Sequence, residues 1–158
     1  MRTGFQIFGL QFLLSLIVYS LIAGWYVRPR LAPLPLGAAL TPLLFLHAFR
    51  HLGMVFLVPT VVGPALPAAF AVPAAYGDLL AALLALLAIL GLRGQWRPAR
   101  TLVWIFSVVG TVDLLNALYQ GTRLRVELGA AYYIPTFAVP ALLVTHAMIF
   151  VRLVKRAG

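Results

Sequence analysis

The chain has 158 residues, of which 63% are hydrophobic and only 9% charged, and its twelve Lys and Arg against three Asp and Glu leave it at +9 at pH 7. Soluble domains carry about 25% charged residues. The composition therefore describes an all-α integral membrane protein of many passes, and the positive charge, scattered between apolar runs, gives no reason to expect a nucleic-acid partner. The absence of cysteine excludes disulfides, thiolate metal sites and thiol redox chemistry.

A membrane-crossing helix needs about 20 apolar residues. Five runs qualify, at roughly 5–27, 37–60, 71–92, 99–120 and 130–153. No polar stretch is long enough to found a second, soluble domain, so residues 1–158 are expected to form one transmembrane helical domain, a five-helix bundle. The first run, MRTGFQIFGLQFLLSLIVYSLIAG, begins like a signal peptide, but its apolar stretch exceeds the usual length of about 7–15 residues, so a retained first helix is expected. Gln11, Ser15 and Tyr19 place a polar line along it.

The connector RPRLAPLP is basic and rich in proline, and the second run then carries FLHAFRHLGM. Helical spacing puts His47 and His51 on one face, with Arg50 close to it. PTVVGPALP interrupts helix before the third run, where Asp78 lies in YGD and Ala74, Ala81, Ala85 and Ala88 offer close-packing positions. RGQWRP leads into the fourth run, whose TVDLLN starts a stripe of Asp113, Asn116 and Gln120 and in which Gly110 is a further close-packing position. QGTRLRVELG follows as the one loop with both charge signs. In the fifth run Pro135 and Pro140 are expected to kink the helix, and Thr136 and His146, ten residues apart, lie near one face. Each helix thus offers polar groups, and the bundle interior is their expected meeting place.

The loop charges set an expected orientation. Arg28, Arg30, Arg93, Arg97, Arg100, Arg152, Lys155 and Arg156 fall on one side of a five-span chain, and Arg2, Arg123 and Arg125 on the other. The positive-inside rule then puts the N-terminus outside and the C-terminus in the cytoplasm, in a cell inner membrane. Trp25, Tyr26 and Trp96 would line the inner interface, and Tyr119, Tyr132 and Tyr133 the outer one.

Of the charged side chains only Arg50, Asp78 and Asp113 fall well inside spans. A charge at a helix centre costs about 2.5–3.5 kcal/mol on insertion scales and normally faces a partner in the bundle. At 1.5 Å per residue, His47, Arg50 and His51 lie within roughly 3 Å of the midplane, and Asp78 and Asp113 about 6 Å to its outer side. His146 falls roughly 6 Å to the inner side, closer to His47.

Several kinds of chemistry are open to this set. An intramembrane enzyme or binding protein for a lipid-like or other hydrophobic small molecule would use Asp78, Asp113 and His51 as acid–base groups. Arg50 would hold the polar head, with Tyr76, Asn116 and Tyr119 around it. A metal-assisted variant would ligate Zn or Fe through His47, His51 and His146, although the pair lacks the glutamate of HExxH. Haem held between His47 and His146 is a related option. A proton- or ion-coupled carrier or channel would use the Asp and His groups as a relay, and at this size it would be expected to form a homo-oligomer. An accessory subunit of a membrane complex, with these groups as structural ion pairs and membrane lipids as surroundings, is the remaining alternative.

Overall fold

Five helices long and apolar enough to cross a membrane make up the computed structural model, which describes residues 2–155. They are α1 (Gly4–Leu31), α2 (Leu36–Leu57), α3 (Ala68–Arg93), α4 (Ala99–Leu124) and α5 (Gly129–Lys155). Four of them contain an expected run whole, and α2 ends at Leu57, three residues short of the expected 37–60, where Val58 turns extended ahead of Pro59; no strand occurs among the described residues. Arg156, counted above with the C-terminal basic cluster, lies outside the described residues.

The packing follows from small residues. Along α3, Ala74, Ala81, Ala85 and Ala88 recur at helical spacing on the buried side, and all are nearly inaccessible. Side chains this small let neighbouring backbones approach, which matters where lipid removes the hydrophobic drive between helices. α3 accordingly packs on both α2 and α4, and these two in turn pack on α5. α1 stands outboard against α5. Its polar line therefore misses the interior: Gln11 accepts a hydrogen bond from the Tyr132 hydroxyl at 2.7 Å, and Tyr19 lies edge-on to Phe137. The expectation that all five polar lines converge fails for α1.

Two larger apolar clusters fill the four-helix part, beside a smaller third of Leu114, Val139 and Leu142 between α4 and α5. One joins Leu40, Leu44, Ala85, Ile89, Val103, Phe106, Ile149 and Leu153, and the other joins Phe56, Phe70, Ala71, Ala75, Leu128 and Ala131. The basic loops gather at the end of the bundle nearer the first cluster. There Arg152 of α5 donates to the carbonyls of Leu31, Ala32 and Leu34 at 2.6–3.0 Å, tying the turn that follows α1 to α5. Arg100 of α4 donates to Leu153 of α5 at 2.8 Å.

Three helices depart from α geometry, two of them next to proline. α1 widens to a π turn at Ala23–Val27 just ahead of Pro29, and α5 does so at Ile134–Ala138, which contains Pro135 and precedes Pro140. Proline lacks an N–H and crowds the carbonyl four residues back, and a wider turn relieves both. α2 instead tightens, from α-helix over Leu36–Ala48 to 3₁₀ over Phe49–Leu57. Its buried residues there are Arg50, Gly53 and Phe56, the three-residue spacing at which a 3₁₀ helix stacks side chains in line.

Candidate functional site

The 3₁₀ segment decides which of the polar residues of α2 meet. An α-helix turns about 100° per residue and a 3₁₀ helix about 120°, so each step past Phe49 adds about 20°. Arg50 is thereby turned toward the face of His47, while His51 moves from about 40° off that face to about 80°. His51 is exposed, and its Nδ1 lies 2.8 Å from the carbonyl of Ala48. It joins neither the aspartates nor the other histidines, so the structure does not gather it with the groups beside which its acid–base and metal-ligand roles were expected.

Arg50 is 4% exposed and sits between the two apolar clusters. Its Nε donates to Asp78 Oδ1 at 2.8 Å, its Nη1 to the carbonyl of Gly110 at 3.0 Å, and its Nη2 to Asp113 Oδ2. One guanidinium thus ties α2 to α3 and α4. A planar fork with five N–H groups can serve three acceptors in separate directions, which an ammonium on a flexible stem cannot do with the same order. With both carboxylates ionised, the triad carries a formal charge of −1.

Glycine makes these approaches feasible. A Cβ on Gly53 of α2 would fall on the carboxylate of Asp78, and one on Gly77 of α3 would fall on that of Asp113. On Gly110 of α4 it would lie 3.0 Å from both Arg50 Nη1 and His146 Nε2. Each charged side chain therefore rests over a glycine of a neighbouring helix, in a closed cycle of three. Nothing in hydropathy or charge marks Gly53 and Gly77, although each lies within three residues of a charge inside a span.

Next to Arg50 lies an aromatic group. The rings of His47 and His146 are 4.1 Å apart, and Phe106 packs against both at 5.0 and 5.2 Å. Thr145 Oγ1 lies 3.0 Å from His47 Nε2 and 2.9 and 3.1 Å from the carbonyls of Ala141 and Leu142, three acceptors within reach of its single proton. His47 Nδ1, both ring nitrogens of His146, Ser107 Oγ and Thr111 Oγ1 are buried without a hydrogen-bond partner. Phe106, Ser107 and Thr145 were not foreseen; Ser107 could have been found from its spacing of three and four residues from Gly110 and Thr111.

The cofactor options do not fit this geometry. Two imidazoles in ring-to-ring contact leave no room for a porphyrin plane between them, so His47 and His146 do not form a haem site. Among the described residues no three His, Cys, Asp or Glu side chains gather as a candidate metal site, and His51 is absent from the pair. The expected Zn or Fe set of His47, His51 and His146 is therefore not assembled. Arg50 is already bonded to three acceptors and is not positioned to hold a ligand's head. Tyr76 and Tyr119 are 56% and 60% exposed and stand outside the cluster.

Asp113 and Asn116 do share a concave surface. Between α3 and α4 a groove of about 380 Å³ opens on the outer face of the bundle, lined by Gly77, Leu80, Val108, Val112, Asp113 and Asn116. The Asp113 side chain, 16% exposed, is its charged element, and Arg50 lies behind it at 1%.

Residues 7–154 match the family described as Domain of unknown function (DUF8737). The chain belongs to this family. No curated protein and no solved structure matches it. In this DUF8737 member the triad, the histidine pair and the groove all lie within the matched residues.

Proposed function

We propose that this protein is a multi-pass inner-membrane protein, with its N-terminus outside and its C-terminus in the cytoplasm, that binds a lipid-like or other hydrophobic small molecule in the groove between α3 and α4. The observation that carries this reading is the position of Asp113, one of two carboxylates that share the single guanidinium of Arg50, at the border of a laterally open groove whose other walls are apolar except for Asn116. Apolar walls with one placed charge suit a ligand that arrives from the bilayer. The sign of the charge selects a cationic or hydrogen-bond-donating head, with Asn116 as a neutral second contact at the rim.

The test is binding of a long-chain primary amine, the alcohol of equal length and the matching carboxylate to the protein in neutral detergent, followed by thermal shift. The amine should stabilise the wild type most and the carboxylate least. Asp113→Asn should remove this preference, and Val112→Phe, which fills the groove from an exposed position, should abolish binding while leaving the melt of the free protein unchanged. Equal shifts for all three amphiphiles would refute the reading.

A second reading, a proton relay, is favoured by the unpartnered polar atoms of His47, His146, Ser107 and Thr111 beside Arg50. Histidine chains at membrane depth are suited to passing protons. In this case proteoliposomes should conduct protons and His146→Leu should stop them; no flux above that of empty vesicles would exclude it.

A further inference from the structure

The basic end of the bundle carries a second concave surface, away from the triad. A groove of about 790 Å³ lies between the start of α2 and the turn joining α3 to α4. One wall is apolar, with Ala38, Pro42 and Phe45, and the other holds Arg93, Arg97 and Arg100 with Trp96. The turn that presents these cations is well defined. Gln95 adopts a left-handed φ of 52°, the Trp96 N–H donates to the carbonyl of Gly91 at 2.9 Å, and the indole lies so close over Gly94 that a Cβ there would touch it.

The charge arithmetic is lopsided. The whole chain has three acidic residues, and none lines this groove. Asp78 and Asp113 are bound to Arg50 inside the bundle, and Glu127 follows α4 at the opposite end. Arg93 and Arg97 are exposed, and among the described residues no Asp or Glu lines the groove.

We propose that this groove binds an anionic glycerophospholipid, with the phosphate on Arg93 and Arg97 and an acyl chain along Pro42 and Phe45. Arginine forks match phosphate oxygens in geometry as well as charge. An adjoining apolar wall gives the lipid a contact that a free phosphate lacks. The tryptophan at the mouth suits the level of the headgroups, where one side of an indole is apolar and the other wet. A zwitterionic lipid would bring its own cation up against the arginines and bind less well. This site is independent of the ligand proposed for the Asp113 groove.

The test uses the full chain in neutral detergent, titrated with short-chain phosphatidylglycerol, short-chain phosphatidylcholine and glycerol phosphate, read by native mass spectrometry and Trp fluorescence. Phosphatidylglycerol should bind roughly ten-fold or more tightly than phosphatidylcholine. Arg93→Gln with Arg97→Gln should erase that difference, whereas Arg123→Gln with Arg125→Gln, an equally exposed pair at the other end, should preserve it. Phe45→Ala should weaken the lipid and leave glycerol phosphate unaffected. Three results would overturn the proposal: equal binding of the two lipids, equal loss from both arginine pairs, or glycerol phosphate binding as tightly as phosphatidylglycerol.

Discussion

Removing the cation of the triad should cost far more than removing either anion, because the triad holds one positive and two negative side chains. Arg50→Met deletes all three hydrogen bonds of the guanidinium and leaves Asp78 and Asp113, whose side chains are only 14% and 16% exposed, facing each other without a counter-ion. Stranding buried charge in this way costs about 3–5 kcal/mol. Asp113→Asn leaves a neutral Arg50–Asp78 pair, and the amide oxygen can still accept from Nη2, so the loss should be about 1 kcal/mol. At a shift of about 2–4 °C per kcal/mol for a chain of this size, the melts should separate by several degrees. Trp104, whose ring packs against Phe150 across the α4–α5 contact at 5.7 Å, reports the transition by its fluorescence in neutral detergent. Equal destabilisation by the two substitutions would refute the charge count on which the site is described.

Gly110→Ala should cost about 1–3 kcal/mol, because its Cβ would crowd Arg50 and His146 at 3.0 Å, whereas Gly9→Ala, with nothing within 4 Å, should be neutral or stabilising by up to about 1 kcal/mol; paired thermal melts compare them. His51→Ala should change stability by less than about 0.5 kcal/mol, since its ring is exposed and bonded only to its own helix, while His47→Ala should cost about 2 kcal/mol or more through the cavity it leaves beside Phe106. Arg152→Met should loosen the end of α1, where three carbonyls lose a donor, and speed proteolysis in the loop near Pro33 without moving the midpoint of the Trp104 transition.

Much of this architecture is legible in the sequence, because a run of about 20 apolar residues closed by arginine and proline has few alternatives to a long helix. The meeting of Arg50, Asp78 and Asp113 is legible for a related reason: three charges inside spans, at one estimated depth, have no other partners of opposite sign nearby. Facing is harder to read. The pairing of His47 with His51 assumes an unbroken α-helix, and the period of three in Arg50, Gly53 and Phe56 shows otherwise only when glycine is counted as an interior residue. Hydropathy gives glycine little weight, so the residues that let helices touch are silent where leucine is loud. Tyr76 and Tyr119 mislead for the converse reason, since a polar tip on an apolar ring suits the outside of a membrane helix as well as its interior.

The cycle of charges over glycines also separates two roles that a buried ion network can have. Leucine and alanine surfaces meeting in lipid specify register weakly, since sliding by one residue exchanges one apolar contact for another. Here a slip in α2, α3 or α4 would bring a carboxylate or the guanidinium over a residue that carries a Cβ, such as Met54 beside Gly53 or Thr111 beside Gly110. The triad thus fixes the alignment of three helices, the role for which the cost of buried charge is best justified. Register, however, requires only one anion to neutralise Arg50. Asp78 lies on the alanine line of α3 and fills that role, whereas Asp113 lies along the open groove and adds a second negative charge that alignment does not need. The surplus carboxylate is therefore the part of the triad that packing alone leaves unexplained, and the one on which a ligand with a cationic head would act.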